Sequence, residues 1–89
     1  MKVIKFGAAW CSGCLVMKPR WKEIEKENPW LKTETYNFDK AKEMAEKYKI
    51  DENLPAFVFV DKNGEEFLRL QGEVAKEKLI KIIEENRER

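Results

Sequence analysis

The two cysteines of this 89-residue chain stand three positions apart, in Trp10-Cys11-Ser12-Gly13-Cys14, where one hydrophobic periodicity gives way to another. Before them, Val3-Ile4-Lys5-Phe6 reads as a buried strand over residues 2–9 that closes in the small residues Gly7-Ala8-Ala9. After them, Cys14, Met17, Trp21 and Ile24 recur at spacings of three and four, which predicts a helix from about Cys11 to Glu27. A strand that turns into a helix this abruptly puts Cys11 at the helix N-terminus and Cys14 one turn inside, on the same side. Unpaired backbone N–H groups and the helix dipole favour negative charge at that end, so a Cys11 thiolate is expected below the ordinary cysteine range. Cys14 is expected to be the less exposed of the two, placed to attack a mixed disulfide on Cys11. Ser12 and Gly13 add little bulk between them. Reversible dithiol–disulfide exchange is the chemistry this spacing suits.

Two other readings of a cysteine pair are open on the residues alone. A closed zinc site needs four ligands, and the chain has no histidine and no second cysteine pair, so zinc or an iron–sulfur cluster would have to be bridged by two chains. Inert core thiols are the third reading, and the position at a helix start behind Trp10 argues against it.

At this length one domain, residues 1–89, is expected. Eighteen basic against 17 acidic residues leave a formal charge of +1, so nothing points to nucleic acid or a membrane surface as partner. No apolar stretch approaches a membrane span, and Met1 leads almost directly into a strand, from which a cytoplasmic location is expected. Structural disulfides are rare there, which again favours a redox-active pair.

Further along, Pro19 removes one backbone hydrogen bond from the first helix and predicts a kink near Leu15–Pro19, and Asn28-Pro29 ends that helix. Residues 33–38 have strand composition. Asp39 is placed to cap a second helix reaching about Lys49, with Ala41, Met44, Ala45 and Tyr48 as its apolar face. Ala56-Phe-Val-Phe-Val60 is the strongest strand signal, Asp61-Lys62-Asn63-Gly64 an Asn-Gly hairpin turn, and 65–71 the returning strand with Phe67 toward the core. Gly72 ends it, and residues 75–87 form a last amphipathic helix with Leu79, Ile82 and Ile83 inward. The order βαβαββα makes the first two strands parallel through a right-handed crossover and the last two a hairpin. The expected fold is α/β: one mixed four-stranded sheet flanked by three helices.

With these elements in this order the chain resembles the thioredoxin superfamily over nearly its whole length. The resemblance rests on Lys5-Phe6-Gly7-Ala8-Ala9-Trp10-Cys11-Ser12-Gly13-Cys14, on Pro19 five residues after Cys14, on Leu54-Pro55-Ala56-Phe57, and on Lys62-Asn63-Gly64-Glu65 followed by Gly72. It implies a thioredoxin fold, a cis Leu54–Pro55 bond beside the cysteines, and a groove framed by Trp10, Leu54, Pro55 and Gly72, in which the Leu54 backbone is free to pair with an extended substrate. Leu15 stands where the family often has a basic residue.

Several residues depart from the family pattern. Ser12-Gly13 replaces the usual Gly-Pro, so the redox potential does not carry over. The absence of His between the cysteines favours a reductant. The family's extra N-terminal strand and helix are missing, which leaves a glutaredoxin-sized chain without a recognisable glutathione-binding signature. Lys5 stands where thioredoxins carry a buried Asp. It either faces the cysteines and favours a thiolate, pairing with an acid of the next strand such as Glu34, or reaches solvent at the strand's end.

The expected function is thiol–disulfide oxidoreduction, most directly the reduction of protein disulfides. Cys11 would be the nucleophile, Cys14 the resolving thiol, and Lys5, Ser12 and Gly13 tuning residues. Disulfide-containing proteins would be substrates and an upstream reductase or dithiol the donor, with no bound cofactor or metal and a monomeric chain. An isomerase or oxidase, a groove that only binds a partner protein, and a cysteine-bridged metal dimer are the alternatives.

Overall fold

A computed structural model describes all residues, 1–89. The elements run β1 (Lys2–Gly7), α1 (Ser12–Glu27), β2 (Lys32–Asn37), α2 (Lys42–Lys47), β3 (Ala56–Val60), β4 (Glu66–Gln71) and α3 (Lys76–Glu85). They form one sheet in the order β2-β1-β3-β4. β1 and β2 are parallel, with Lys5 opposite Thr35 and Gly7 opposite Asn37; β3 is antiparallel to both its neighbours. This is the expected mixed sheet with three helices.

Every residue of β3 is buried, as a continuous apolar run between two helical layers requires. Its alternate side chains feed two cores. Phe57 and Phe59 join Val3, Met17, Trp21, Ile24, Leu79 and Ile83 beneath α1 and α3. Ala56, Val58 and Val60 join Ile4, Phe6, Ala45 and Ile50 on the α2 face. Trp21 packs against Phe57 with ring centroids 5.3 Å apart, although its buried indole N–H has no acceptor.

Three local expectations are revised. α2 is only six residues long, and its N-cap is Ala41, without a side-chain cap; the Asp39 carboxylate is turned to Trp10 instead, while Asn37 Oδ1 accepts from the N–H groups of Asp39 and Lys40. The β3–β4 connection is a five-residue loop, 61–65. Of its residues Gly64 alone has a positive φ (+82°), so it is not the two-residue type that needs positive φ at both central positions. Asp61 holds the loop: its carbonyl accepts from Gly64 N–H and its Oδ1 from the N–H groups of Asn63 and Glu65. α3 is shorter than expected at both ends. Pro19 lies inside α1, as its position in the sequence implies.

The segment between α2 and β3 is fastened to β4. Arg69 donates to the carbonyls of Tyr48 and Lys49, Gln71 to Asp51 Oδ1, and the Gly72 N–H to the Pro55 carbonyl at 2.8 Å. Gly72 sits at φ +82°, a left-handed conformation that costs other residues energy.

Candidate active site

Cys11 is the N-cap of α1 and Cys14 lies in its first turn, with Cα atoms 5.3 Å apart and the two sulfurs joined as a disulfide. The Cys14 backbone N–H donates to Cys11 Sγ at 3.2 Å. That sulfur thus takes the place a Ser or Asp oxygen holds at other helix starts. Negative charge on Cys11 is therefore met by a backbone donor and by the helix dipole.

The exposures of the two cysteines are the reverse of the sequence expectation. Cys11 is 6% exposed, whereas Cys14 is only partly buried. Gly7 faces Cys14, and a Cβ there would stand 3.2 Å from Cys14 Sγ. With no side chain at that position, Cys14 lies against β1, and a groove of about 450 Å³ lies between α1 and the β1–β2 edge with Cys14 on its wall.

The proposed groove residues gather around the pair. Pro55 is buried, the Leu54–Pro55 bond is cis, and the Pro55 ring lies 3.0 Å from where a Cβ on Gly13 would stand. Gly72 reaches the same loop through its bond to Pro55. Trp10 is 56% exposed; its Nε1 donates to Asp39 Oδ2 at 2.9 Å, and its ring meets Phe38 edge-on. Ser12 is exposed, as are Leu15 (68%) and Val16, giving an apolar rim with Trp10. The Leu54 N–H is not free: a turn through Glu52 has it donating to the Glu52 carbonyl at 2.9 Å, so only its carbonyl remains open.

Lys5 does not pair with Glu34. Its Nζ donates to Glu25 Oε2 at 2.7 Å and lies 5.3 Å from the Trp21 ring centroid, with the side chain 14% exposed. Glu34 is on the opposite face of β2, because side chains alternate along a strand, and it takes Lys2 and the Tyr36 hydroxyl. Glu25 also accepts from Thr33, which faces α1. Glu25 is eleven residues beyond Cys14, about 16 Å of helical rise. Lys5 is thus drawn toward the far half of α1, neither onto the cysteines nor out to solvent. Asp39 as the anchor of Trp10 and Glu25 as the partner of Lys5 were missed in the sequence. Each depends on which face a residue presents after a chain reversal, and no local periodicity carries that.

The fold and the site together define a class: a thioredoxin-fold protein with a Cys-x-x-Cys disulfide at the start of its first helix. The thioredoxin family profile matches residues 1–85. The chain is 39% identical over 80 residues to an H-type thioredoxin of Fagopyrum esculentum, covering 90% of this chain and 67% of that one. It is 39% identical over 85 residues to thioredoxin H7 of Arabidopsis thaliana, covering 96% of this chain and 64% of the relative. The solved thioredoxin of Fasciola hepatica superposes with a TM-score of 0.84 at 32% identity, over 94% of this chain and 78% of that one. The chain belongs to the thioredoxin family, and thiol–disulfide exchange is the chemistry of its site. It spans about two thirds of the length of the two plant relatives. No helix is long and apolar enough to cross a membrane.

Proposed function

We propose that the chain, as a single domain, is a protein-disulfide reductase. The observation that carries this reading is the Cys11 sulfur at the helix N-cap, accepting the Cys14 N–H. In the reduced protein, Cys11 attacks a substrate disulfide and expels one substrate thiol. Cys14 then attacks the Cys11 sulfur of the mixed disulfide and expels the other, leaving the Cys11–Cys14 bond. Trp10, Pro55, Gly72 and the open Leu54 carbonyl frame the extended substrate, and the apolar rim at Leu15 suits a protein surface. Lys5, Ser12 and Gly13 act as tuning residues, Lys5 only indirectly, through the packing of α1 on β1. A dithiol protein or reductase returns the electrons, and the setting is cytoplasmic, with the chain monomeric.

The reduction potential of the Cys11–Cys14 couple tests this, measured against thiol–disulfide buffers by Trp fluorescence and thiol mass labelling. A value near about −270 mV is expected for a reductase. A value above about −200 mV would instead mark an oxidase or isomerase. Failure to form the bond reversibly would leave a partner-binding groove as the better reading.

A further inference from the structure

Glu73 directly follows Gly72 in the proposed substrate groove, and the steps above give it no role. It is exposed, and its side chain comes up to the dipeptide between the two cysteines. A Cβ on Gly13 would stand 3.0 Å from Pro55 Cδ and 3.7 Å from Glu73 Cγ. The proline ring and the stem of the glutamate thus close on the same glycine, and the bond from Gly72 N–H to the Pro55 carbonyl ties their two segments together. The Glu73 carboxylate takes part in no ion pair. Two cations close to it in the fold are engaged elsewhere: Arg20 donates to the Val74 carbonyl at 3.0 Å, and Lys76 pairs with Glu23 and Glu27. Cys11 is 6% exposed, so a substrate disulfide reaches its sulfur by resting on the residues around it.

We propose that Glu73 is a specificity-determining residue, which selects protein disulfides flanked by lysine or arginine over those flanked by acidic residues. The proposal rests on the reductase reading of the same cysteine pair and names the substrate class its groove prefers. A charge at the edge of a binding surface acts on the choice between partners more than on raw affinity. Here a cation beside the substrate disulfide meets a carboxylate with no partner of its own, whereas an acidic neighbour brings a like charge against it. On the Trp10 side, Asp39 is bound by the indole N–H and is followed in sequence by Lys40 and Lys42, so that side carries both signs and the discrimination falls to Glu73. Gly13 keeps the arrangement open, since a side chain there would require the Pro55 ring to give way. Glu73 moves no proton and no electron; it positions the substrate before Cys11 attacks.

The test uses the reduced full chain and three disulfide-linked peptides that differ only in the residue beside each cysteine: Lys, Glu or neutral Gln. Second-order rate constants for their reduction are read by stopped-flow Trp fluorescence at low salt. The Lys peptide is expected to react at least about fivefold faster than the Glu peptide, with the ratio shrinking in 0.5 M salt, a concentration at which exposed charges are screened within roughly 4–5 Å. In Glu73→Gln the ratio should fall at least about threefold, and in Glu73→Lys it should fall further, below that of Glu73→Gln. Glu84→Gln makes the same change in net charge at an exposed position on α3 and should keep the wild-type ratio. A ratio unmoved in Glu73→Gln, or lowered as much by Glu84→Gln, overturns the proposal. Failure of the wild type to reduce even the Gln peptide would count against the reductase reading itself. Reduction of all three peptides without charge preference removes this proposal alone.

Discussion

The backbone N–H of Cys14 points at the sulfur of Cys11 across 3.2 Å, so the residue proposed to resolve the mixed disulfide is also placed to stabilise charge on the residue proposed to form it. In the reduced protein this gives the two thiols unequal reactivity. Cys11 is expected to be alkylated by iodoacetamide at pH 6–7 at least about tenfold faster than a free cysteine brought to the same pH. Cys11→Ser should abolish disulfide reduction, and Cys14→Ser should accumulate a stable mixed disulfide with substrate on Cys11. Mass spectrometry of the trapped species checks both; a trapped adduct in Cys11→Ser would reverse the assigned roles.

Lys5→Met removes an ion pair to Glu25 and a cation over Trp21. The expected cost is about 1 kcal/mol in urea denaturation, since both partners keep some contact with solvent. Because Lys5 is spent on Glu25, the alkylation rate of Cys11 should stay within about twofold of wild type. A much larger change in that rate would mean that Lys5 acts on the dithiol directly.

Glu34 is held below its ordinary carboxylate value of 4.5, first by its hydrogen bond from Lys2 and then by that from Tyr36. A depressed folded-state value contributes stability that is present above 4.5 and is lost as the pH falls through the folded value. Glu34→Gln should therefore flatten the acid limb of the stability curve below about pH 4.5 and lower stability at pH 7 by about 0.5 kcal/mol, a small amount because the pair is more than a third exposed. Thermal melts from pH 2 to 7 on the two proteins decide it; parallel acid limbs would show that this cluster does not drive the acid loss.

Gly72→Ala forces a Cβ into a left-handed backbone, though with no atom within 4 Å to meet it. The expected loss is about 1 kcal/mol of conformational strain, without a packing term. Steady-state reduction of a peptide disulfide should show a raised KM, because the Pro55 carbonyl that Gly72 holds moves with it. An unchanged KM alongside a lowered Tm would confine Gly72 to a structural role.

Much of this architecture is legible in the sequence because it is periodic. The Ala56–Val60 run, the three-and-four spacing of Met17, Trp21 and Ile24, and the cysteines between a strand and a helix each announce their element locally. What escapes is set by which face meets which after the chain has turned. Lys5 finds Glu25 rather than Glu34 because β1 and β2 present Lys5, Thr33 and Thr35 to α1 while Glu34 looks the other way. Asp39 serves Trp10 because Asn37 already supplies the turn before α2. The close approach of Cys14 to β1 depends on a missing side chain at Gly7, four residues before Cys11, and an absence leaves no periodic mark.

The lacing of the Tyr48–Pro55 segment to Arg69, Gln71 and Gly72 makes β4 a ruler for the proposed substrate groove. Where that ruler lies along β3 is set at the other end of the hairpin, by how many residues the loop at 61–65 takes up. Ala56 is fixed opposite Phe6 of β1, so inserting or deleting one residue there would shift Gly72 past a Pro55 that keeps its place beside Cys11. A remote, exposed bend thus bears on the proposed substrate groove, leaving the residues that carry the dithiol as they are.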